Sequence, residues 1–195
     1  MYEATIEHFK AQLQGGGIRP SMFRVEIAPP NQLSRHWDAR KLSFLCKASS
    51  VPSHVITPVS IGLPGGGAVK LPGSKVFEPW SATIIADDNH RLRRDFEIWS
   101  EIIIGGENQL SDTELSKYMS TAIVTELDRA AKPIMHHTLE FLYPTNIGAM
   151  ELSYDNKDVQ EFEVTFAYHY HTLYEPQKRT KGNESNKPTK DFRER

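Results

Sequence analysis

Histidines, one cysteine and a pair of carboxylates are the side chains in this sequence that could carry chemistry, and their spacing decides whether they do. His136 and His137 are adjacent in a run that reads as a β-strand, so their side chains leave opposite faces and cannot ligate one metal from that strand. His169 and His171 stand two apart and share a face. That spacing suits two ligands of a small metal-dependent hydrolase, but no carboxylate or third histidine stands at a supporting spacing to complete the set. Cys46 lies inside the run Phe44-Leu45-Cys46-Lys47, where a lone thiol behaves as a small hydrophobe rather than a nucleophile. Asp87 and Asp88 could divide acid and base roles. Their place in front of a helical pattern instead assigns one to a helix cap, with Asp88 at the N-cap position, and the other to solvent. The glycine runs Gly15 to Gly17 and Gly65 to Gly67 lack the Lys and Ser or Thr of a phosphate loop, and neither joins a strand to a helix. The expectation is no catalytic residue, no metal and no cofactor.

The elements that must position these side chains read as mainly β. Ala4 to Leu13 carries Ile6, Phe9 and Leu13 at helical spacing and stops at three glycines. Met22 to Ile27 and Leu42 to Ala48 read as strands around a polar segment, Pro29 to Arg40, that forms a loop or an extended hairpin tip. Ser49 to Pro79 holds five prolines and five glycines, which suits a long projecting loop with one hairpin better than a central strand. Trp80 to Ala86 returns to strand. Leu92, Phe96, Trp99 and Ile103 then fall at spacings of four, three and four, a helix from Asp88 to Ile103. Ser111 and Glu114 fit a capping box opening a short helix to about Met119, before a strand over Ala122 to Leu127. Ile134 to Tyr143 and Asp158 to Tyr174 are the longest strand candidates. A turn at Pro144, Asn146 and Gly148 and a short strand near Met150 to Tyr154 join them. Along the last of these strands, Phe162, Val164, Phe166, Tyr168 and Tyr170 occupy one face, opposite Glu161, Glu163, Thr165, Ala167, His169 and His171. An antiparallel meander with one dry and one wet face accounts for the pattern.

Composition narrows the function classes. The 195 residues carry 23 basic and 25 acidic side chains, a net charge of -2, which disfavours a protein that grips phosphate backbones over a broad surface. A single cysteine leaves no intrachain disulfide framework and fits a reducing cytoplasm. No stretch approaches the roughly 20 apolar residues that span a bilayer, so a soluble single domain is expected. Glu175 to Arg195 is almost devoid of apolar residues and reads as a charged, flexible extension. A carbohydrate-binding β-sandwich would need an aromatic platform, for which Trp37 and the tyrosines are the candidates; no clustered aromatic face supports it.

Four segments, in order, resemble the tail tube proteins of contractile-tailed, T4-like bacteriophages. They are Arg19-Pro20-Ser21-Met22-Phe23-Arg24-Val25-Glu26-Ile27; Phe44-Leu45-Cys46-Lys47-Ala48-Ser49-Ser50-Val51-Pro52; Phe77-Glu78-Pro79-Trp80 with the Phe96 and Trp99 helix; and Tyr143-Pro144-Thr145-Asn146-Ile147-Gly148 running on to Phe162-Glu163-Val164-Thr165-Phe166. The last is the most specific. The segment from Pro29 to Arg40 and the charged C-terminal stretch look like additions to the family pattern.

The resemblance implies an antiparallel β-sandwich or half-barrel with a flanking α-helix and a long projecting loop. It divides the chain into an arm over 1–18, a tail tube domain over 19–174 containing loops 29–40 and 49–79, and an extension over 175–195. Hexameric rings would stack into the inner tube of a contractile tail, a virion component assembled in the host cytoplasm. The implied partners are further copies of the chain, the tail sheath, baseplate and tail terminator proteins, and phage DNA passing without specific binding. The same likeness extends to a baseplate tube initiator or to the tube subunit of a phage-derived injection or type VI-like secretion machine. Two surfaces carry the expected function. Glu161 and Glu163, with Glu151, Ser153 and Asp155 beside them, would line the bore, where carboxylates repel phosphate. The loop around Gly62, Gly65, Gly66 and Gly67 would reach the adjacent ring, since a long segment without its own core usually binds something.

Overall fold

Period-two alternation of apolar residues drives most of this chain into antiparallel strands, and a computed structural model describes residues 6–12, 17–105, 110–111, 114–155 and 157–175. In chain order the elements are α1 (Ile6–Gln12), β1 (Phe23–Ile27), α2 (Ala39–Leu45), β2 (Cys46–Ser49), β3 (His54–Gly62), β4 (Ala68–Phe77), β5 (Trp80–Ile85) and α3 (Arg91–Ile103). Short β6 (Ile104–Gly105) and β7 (Leu110–Ser111) follow. Then come β8 (Ser120–Leu127), β9 (Pro133–Ile147), β10 (Glu161–Ala167) and β11 (Tyr170–Tyr174).

Seven strands form one antiparallel sheet in the order β1-β8-β9-β10-β5-β2, with β11 paired to β9. The sheet curls because β9 is long and shared: β8 runs along one edge, while β11 and then β10 run along the other. A discontinuity sits where β10 gives way to β11. There Phe141 takes a left-handed φ of 56° and the His169 amide bonds to the Glu140 carbonyl. The two ends of the sheet, β1 and β2, come close to each other with α2 packed against both. The result is the half-barrel with a flanking helix that the family resemblance implies.

The core lies inside that curl. β10 contributes Phe162, Val164 and Phe166, β5 contributes Trp80, Ala82 and Ile84, and α3 contributes Leu92, Phe96 and Trp99, all buried. The Phe96 ring meets Trp37, Trp99, Phe162 and Phe166 at centroid distances of 5.1, 6.3, 6.2 and 6.0 Å. Each indole N–H has a carbonyl partner: Trp37 donates to Ile27, Trp80 to Ser50 and Trp99 to Tyr118. Buried indoles carry an unsatisfied donor unless such a partner is found.

Several sequence expectations are corrected. Leu42 to Ala48 is not one strand: Asp38 caps α2 by accepting from the Lys41 amide, and the strand starts only at Cys46. The helical residues between the cap and Leu45 include Ala, Arg, Lys and Leu, all good helix formers. Pro29 to Arg40 is no solvated hairpin tip, because Leu33 is buried and Trp37 packs on the helix α3 aromatics. This removes Trp37 from any carbohydrate platform. The N-cap of α3 is His90, with a left-handed φ of 48° and no side-chain cap bond, and it is Asp87 rather than Asp88 that reaches the first turn, its Oδ1 accepting from the Leu92 amide at 3.4 Å. Ser111 lies in β7, and only a single 3-10 turn, Leu115–Lys117, forms after Glu114. Pro144 and Asn146 belong to β9, not a turn, and β9 tolerates Pro144 beside a register shift in its pairing with β10. Met150 to Tyr154 is irregular. The Asp158 to Tyr174 strand is split into β10 and β11, which leaves Tyr170 36% exposed instead of on the core face.

Candidate assembly surfaces

Strands β3 and β4 make the proline- and glycine-rich segment into a two-stranded hairpin that pairs with no other strand among the described residues. A ribbon of two strands is marginal in water by itself. Its turn needs glycine: Gly65 and Gly66 have φ of 108° and 95°, a region L-residues rarely enter. Gly73 answers a different need, since a Cβ there would collide with the Thr57 carbonyl at the register shift between Ile56 and Pro58. Beyond that shift Val59 faces Leu71 and Ile61 faces Val69 across the ladder, with Ser60 facing Lys70. In an antiparallel pair directly opposed residues share a face. The distal hairpin is therefore amphipathic, with Val59, Ile61, Val69 and Leu71 on one side. All four are 43–52% exposed.

Of the four expected bore carboxylates, the structure brings Glu161 and Glu163 together on the solvent side of β10, opposite Ile85 and Thr83 of β5. Glu163 is exposed, whereas Glu161 is paired with Lys47 of β2 through an Nζ to Oε1 distance of 2.6 Å. Glu151 and Asp155 sit in the irregular stretch before β10, both exposed. With Leu152, Ser153, Tyr154, Asp158 and Gln160, Glu151 lines a shallow depression of about 330 Å³.

The other candidate groups disperse. His169 packs on the Phe141 ring, while His171 faces inward to His54, Phe77, His137 and Tyr168, so this pair does not converge on one metal. His136 bonds to Thr125 and stacks near Tyr174, and His137 Nε2 lies 2.9 Å from Glu126. Among the described residues no three His, Cys, Asp or Glu side chains are arranged to hold a metal ion. Burial pushes the Cys46 thiol up to about 11, well away from a nucleophile's range. Burial also works against the Asp87 carboxylate, but the Lys41 ammonium at 2.7 Å and the Leu92 amide outweigh it and hold the group below the usual range. Asp95, buried on α3 with Oδ2 lacking a hydrogen-bond partner, is pushed up by burial against the opposing charges of Arg91, Arg94 and His36.

The amphipathic ribbon face was not identified from the sequence, although the alternation Val59-Ser60-Ile61 and Val69-Lys70-Leu71 carries it. The glycines and prolines around it mask the period. The His54, Phe77 and His171 cluster has no such signal, because His171 lies more than 90 residues from the other two in the chain.

The model of the phage tail tube protein family matches residues 18–174. The tail tube protein gp19 of Enterobacteria phage T4 is 30% identical over 158 residues, covering 80% of this chain and 91% of that protein. A tail tube protein of Serratia phage KSP90 is 26% identical over 157 residues, covering 80% of this chain and 88% of its own length. Among solved structures, the sheath-tube complex of an extracellular contractile injection system in its extended state, designated PVC, contains a chain of the same fold. It superposes with a TM-score of 0.62 at 11% identity, covering 85% of this chain and 97% of that one.

Proposed function

The chain belongs to the phage tail tube protein family, and from that premise we propose that six copies close a ring, that rings stack into the inner tube of a contractile tail, and that the bore conducts phage DNA into the host. The observation that carries this reading is the bare hairpin β3–β4. A ribbon with an apolar face, projecting from a barrel that does not cover it, is stabilised when a further copy of the subunit covers it. We assign that contact to the adjacent ring, with the turn at Gly62, Gly65, Gly66 and Gly67 reaching furthest. The exposed carboxylate Glu163, with Glu161, Glu151 and Asp155, then faces the bore, where fixed negative charge repels the passing phosphates. The tube wall needs no catalysis, cofactor or specific DNA contact to do this. The outer surface of the tube meets the sheath, and its ends meet baseplate and terminator proteins. Assembly of the virion tail takes place in the host cytoplasm.

A chain of an injection-system sheath-tube complex shares this fold, which supports a tube subunit of an injection machine as a second reading. The relatives at 26–30% identity are phage tail proteins, which favours the virion. Negative-stain electron microscopy of the purified protein, over a range of concentrations and after prolonged incubation, tests the proposal. Hollow tubes of constant width support it, and their loss on deletion of Gly62 to Gly67, with the fold retained, supports the hairpin's role. Tubes that form normally after that deletion remove the hairpin from ring stacking. A reconstruction with Glu161 and Glu163 on the outer wall removes them from the bore.

A further inference from the structure

The base of the hairpin rests on the barrel through aromatic and imidazole rings rather than through backbone pairing. His54 opens β3 and Phe77 closes β4, and the two face each other across the ladder. Their rings lie 5.5 and 5.4 Å from the ring of His171 on β11, and Phe77 is 5.8 Å from Tyr168. A hydrogen bond from Tyr168 Oη to the Ser53 carbonyl at 3.0 Å supplements this contact, and the Glu78 amide donates to the same carbonyl at 3.3 Å to close the hairpin's own base. We propose that His171 is a latch that holds the β3–β4 hairpin against the barrel while neutral and releases it when protonated.

The groups around the latch determine the sign. His54 of β3, Lys75 of β4 and His137 of β9 each act on His171 with positive or potentially positive charge. The neighbouring carboxylates are directed elsewhere: Glu126 of β8 contacts His137 Nε2 at 2.9 Å, and Glu78 acts on Tyr168. His171 Nδ1 is buried without a hydrogen-bond partner, as is His137 Nδ1. Burial, then Lys75, His54 and His137, hold the His171 imidazole below its ordinary range. Two of those three charges, together with the covering Phe77 ring, are carried by the hairpin itself. Lifting the hairpin removes them, so the open form binds a proton more readily than the closed form. The closed form is therefore favoured at neutral pH and weakens once pH falls below the ordinary imidazole value of about 6.5. For one proton the docking constant changes by at most about tenfold per pH unit. The latch operates within a single subunit and does not depend on what the hairpin meets in a tube.

A fluorophore on Ser60→Cys, at an exposed site on the hairpin, reads the motion; Cys46, with its thiol at about 11, competes poorly for the label near neutral pH. Between about pH 7.5 and about pH 5, the probe's anisotropy is expected to fall, and nuclear Overhauser contacts between the His54 and His171 rings to vanish, while far-UV circular dichroism holds steady. His171→Phe is expected to abolish the pH dependence of the anisotropy. Should that variant misfold, His171→Gln, whose side chain gains no proton in this range, carries the same expectation. Ring contacts that persist to about pH 5, an unaltered transition in the Phe variant, or loss of the whole barrel's structure in the same range would each overturn the latch.

Discussion

Converting the apolar face of the hairpin to a polar one, with the double substitution Ile61→Lys and Leu71→Glu, separates assembly from folding. Ile61 pairs with Val69 and Leu71 with Val59, so positions 61 and 71 are diagonal neighbours on one face, where opposite charges are compatible with the ribbon. Both side chains are about half exposed in the subunit, 50% and 45%. Fully burying such a side chain contributes about 1.5–3 kcal/mol, so covering the remaining half in a neighbouring ring contributes about half of that each. Losing both should weaken each ring-to-ring contact by about 1.5–3 kcal/mol, roughly a 10- to 150-fold rise in the protein concentration needed for tubes. Subunit stability should stay within about 0.5 kcal/mol, because neither residue supports the core. Sedimentation velocity and negative-stain images across a concentration series give the first quantity, and urea denaturation followed by circular dichroism gives the second. Tubes that appear at the wild-type concentration would refute the assignment of this face to ring stacking. A large drop in subunit stability would refute the claim that the hairpin is peripheral to the fold.

Three further outcomes follow from the barrel and its carboxylates. Trp99→Ala should destabilise the subunit by about 3–5 kcal/mol in denaturant titrations. Trp99 is fully buried against Trp37, Phe96 and Phe166, and Trp99→Phe should lose less, through the unpaired Tyr118 carbonyl. Asp87→Asn should cost on the order of 1 kcal/mol at neutral pH through the weakened charge-assisted bond between this buried side chain and Lys41. Because the Asp87 carboxylate is held low, its contribution is present above about pH 3.9 and disappears as pH falls through its folded value; acid unfolding curves of variant and wild type should therefore converge at low pH. Glu163→Lys in assembled tubes should create salt-dependent retention of labelled duplex DNA in a filtration assay, and retention equal to that of wild type would argue against a bore position.

How much was legible depended on the range of the interaction. The α3 stripe of Leu92, Phe96 and Trp99, the alternation through Phe162, Val164 and Phe166, and the strand Phe23–Ile27 follow from local periodicity, and the structure buries those residues as that periodicity requires. The boundary between α2 and β2 was not legible, because Phe44, Leu45 and Cys46 form an apolar run that suits either state, and the Asp38 cap decided it. The split between β10 and β11 was equally hidden, since the alternation runs unbroken through Tyr168 and His169 while Phe141 interrupts the partner strand. Glu161 and Glu163 share a face by period alone, but the pairing of Glu161 with Lys47 joins residues 114 positions apart and has no local signature.

The sequence by itself determined which residues are apolar, at what period, and where glycine and proline forbid a central strand. Those properties are set by side-chain chemistry and by φ and ψ within a few residues, and they suffice for an antiparallel β meander, a helix to cover it and a long projecting loop; the half-barrel came from the family resemblance. Contacts between distant segments decided what remains: the continuation of β9 past Phe141, the packing of Trp37 against α3, and the meeting of His54 with His171 at the hairpin's base. Each of these depends on the free energy of two distant surfaces excluding water together, and that quantity belongs to the pair of surfaces, not to either stretch of chain.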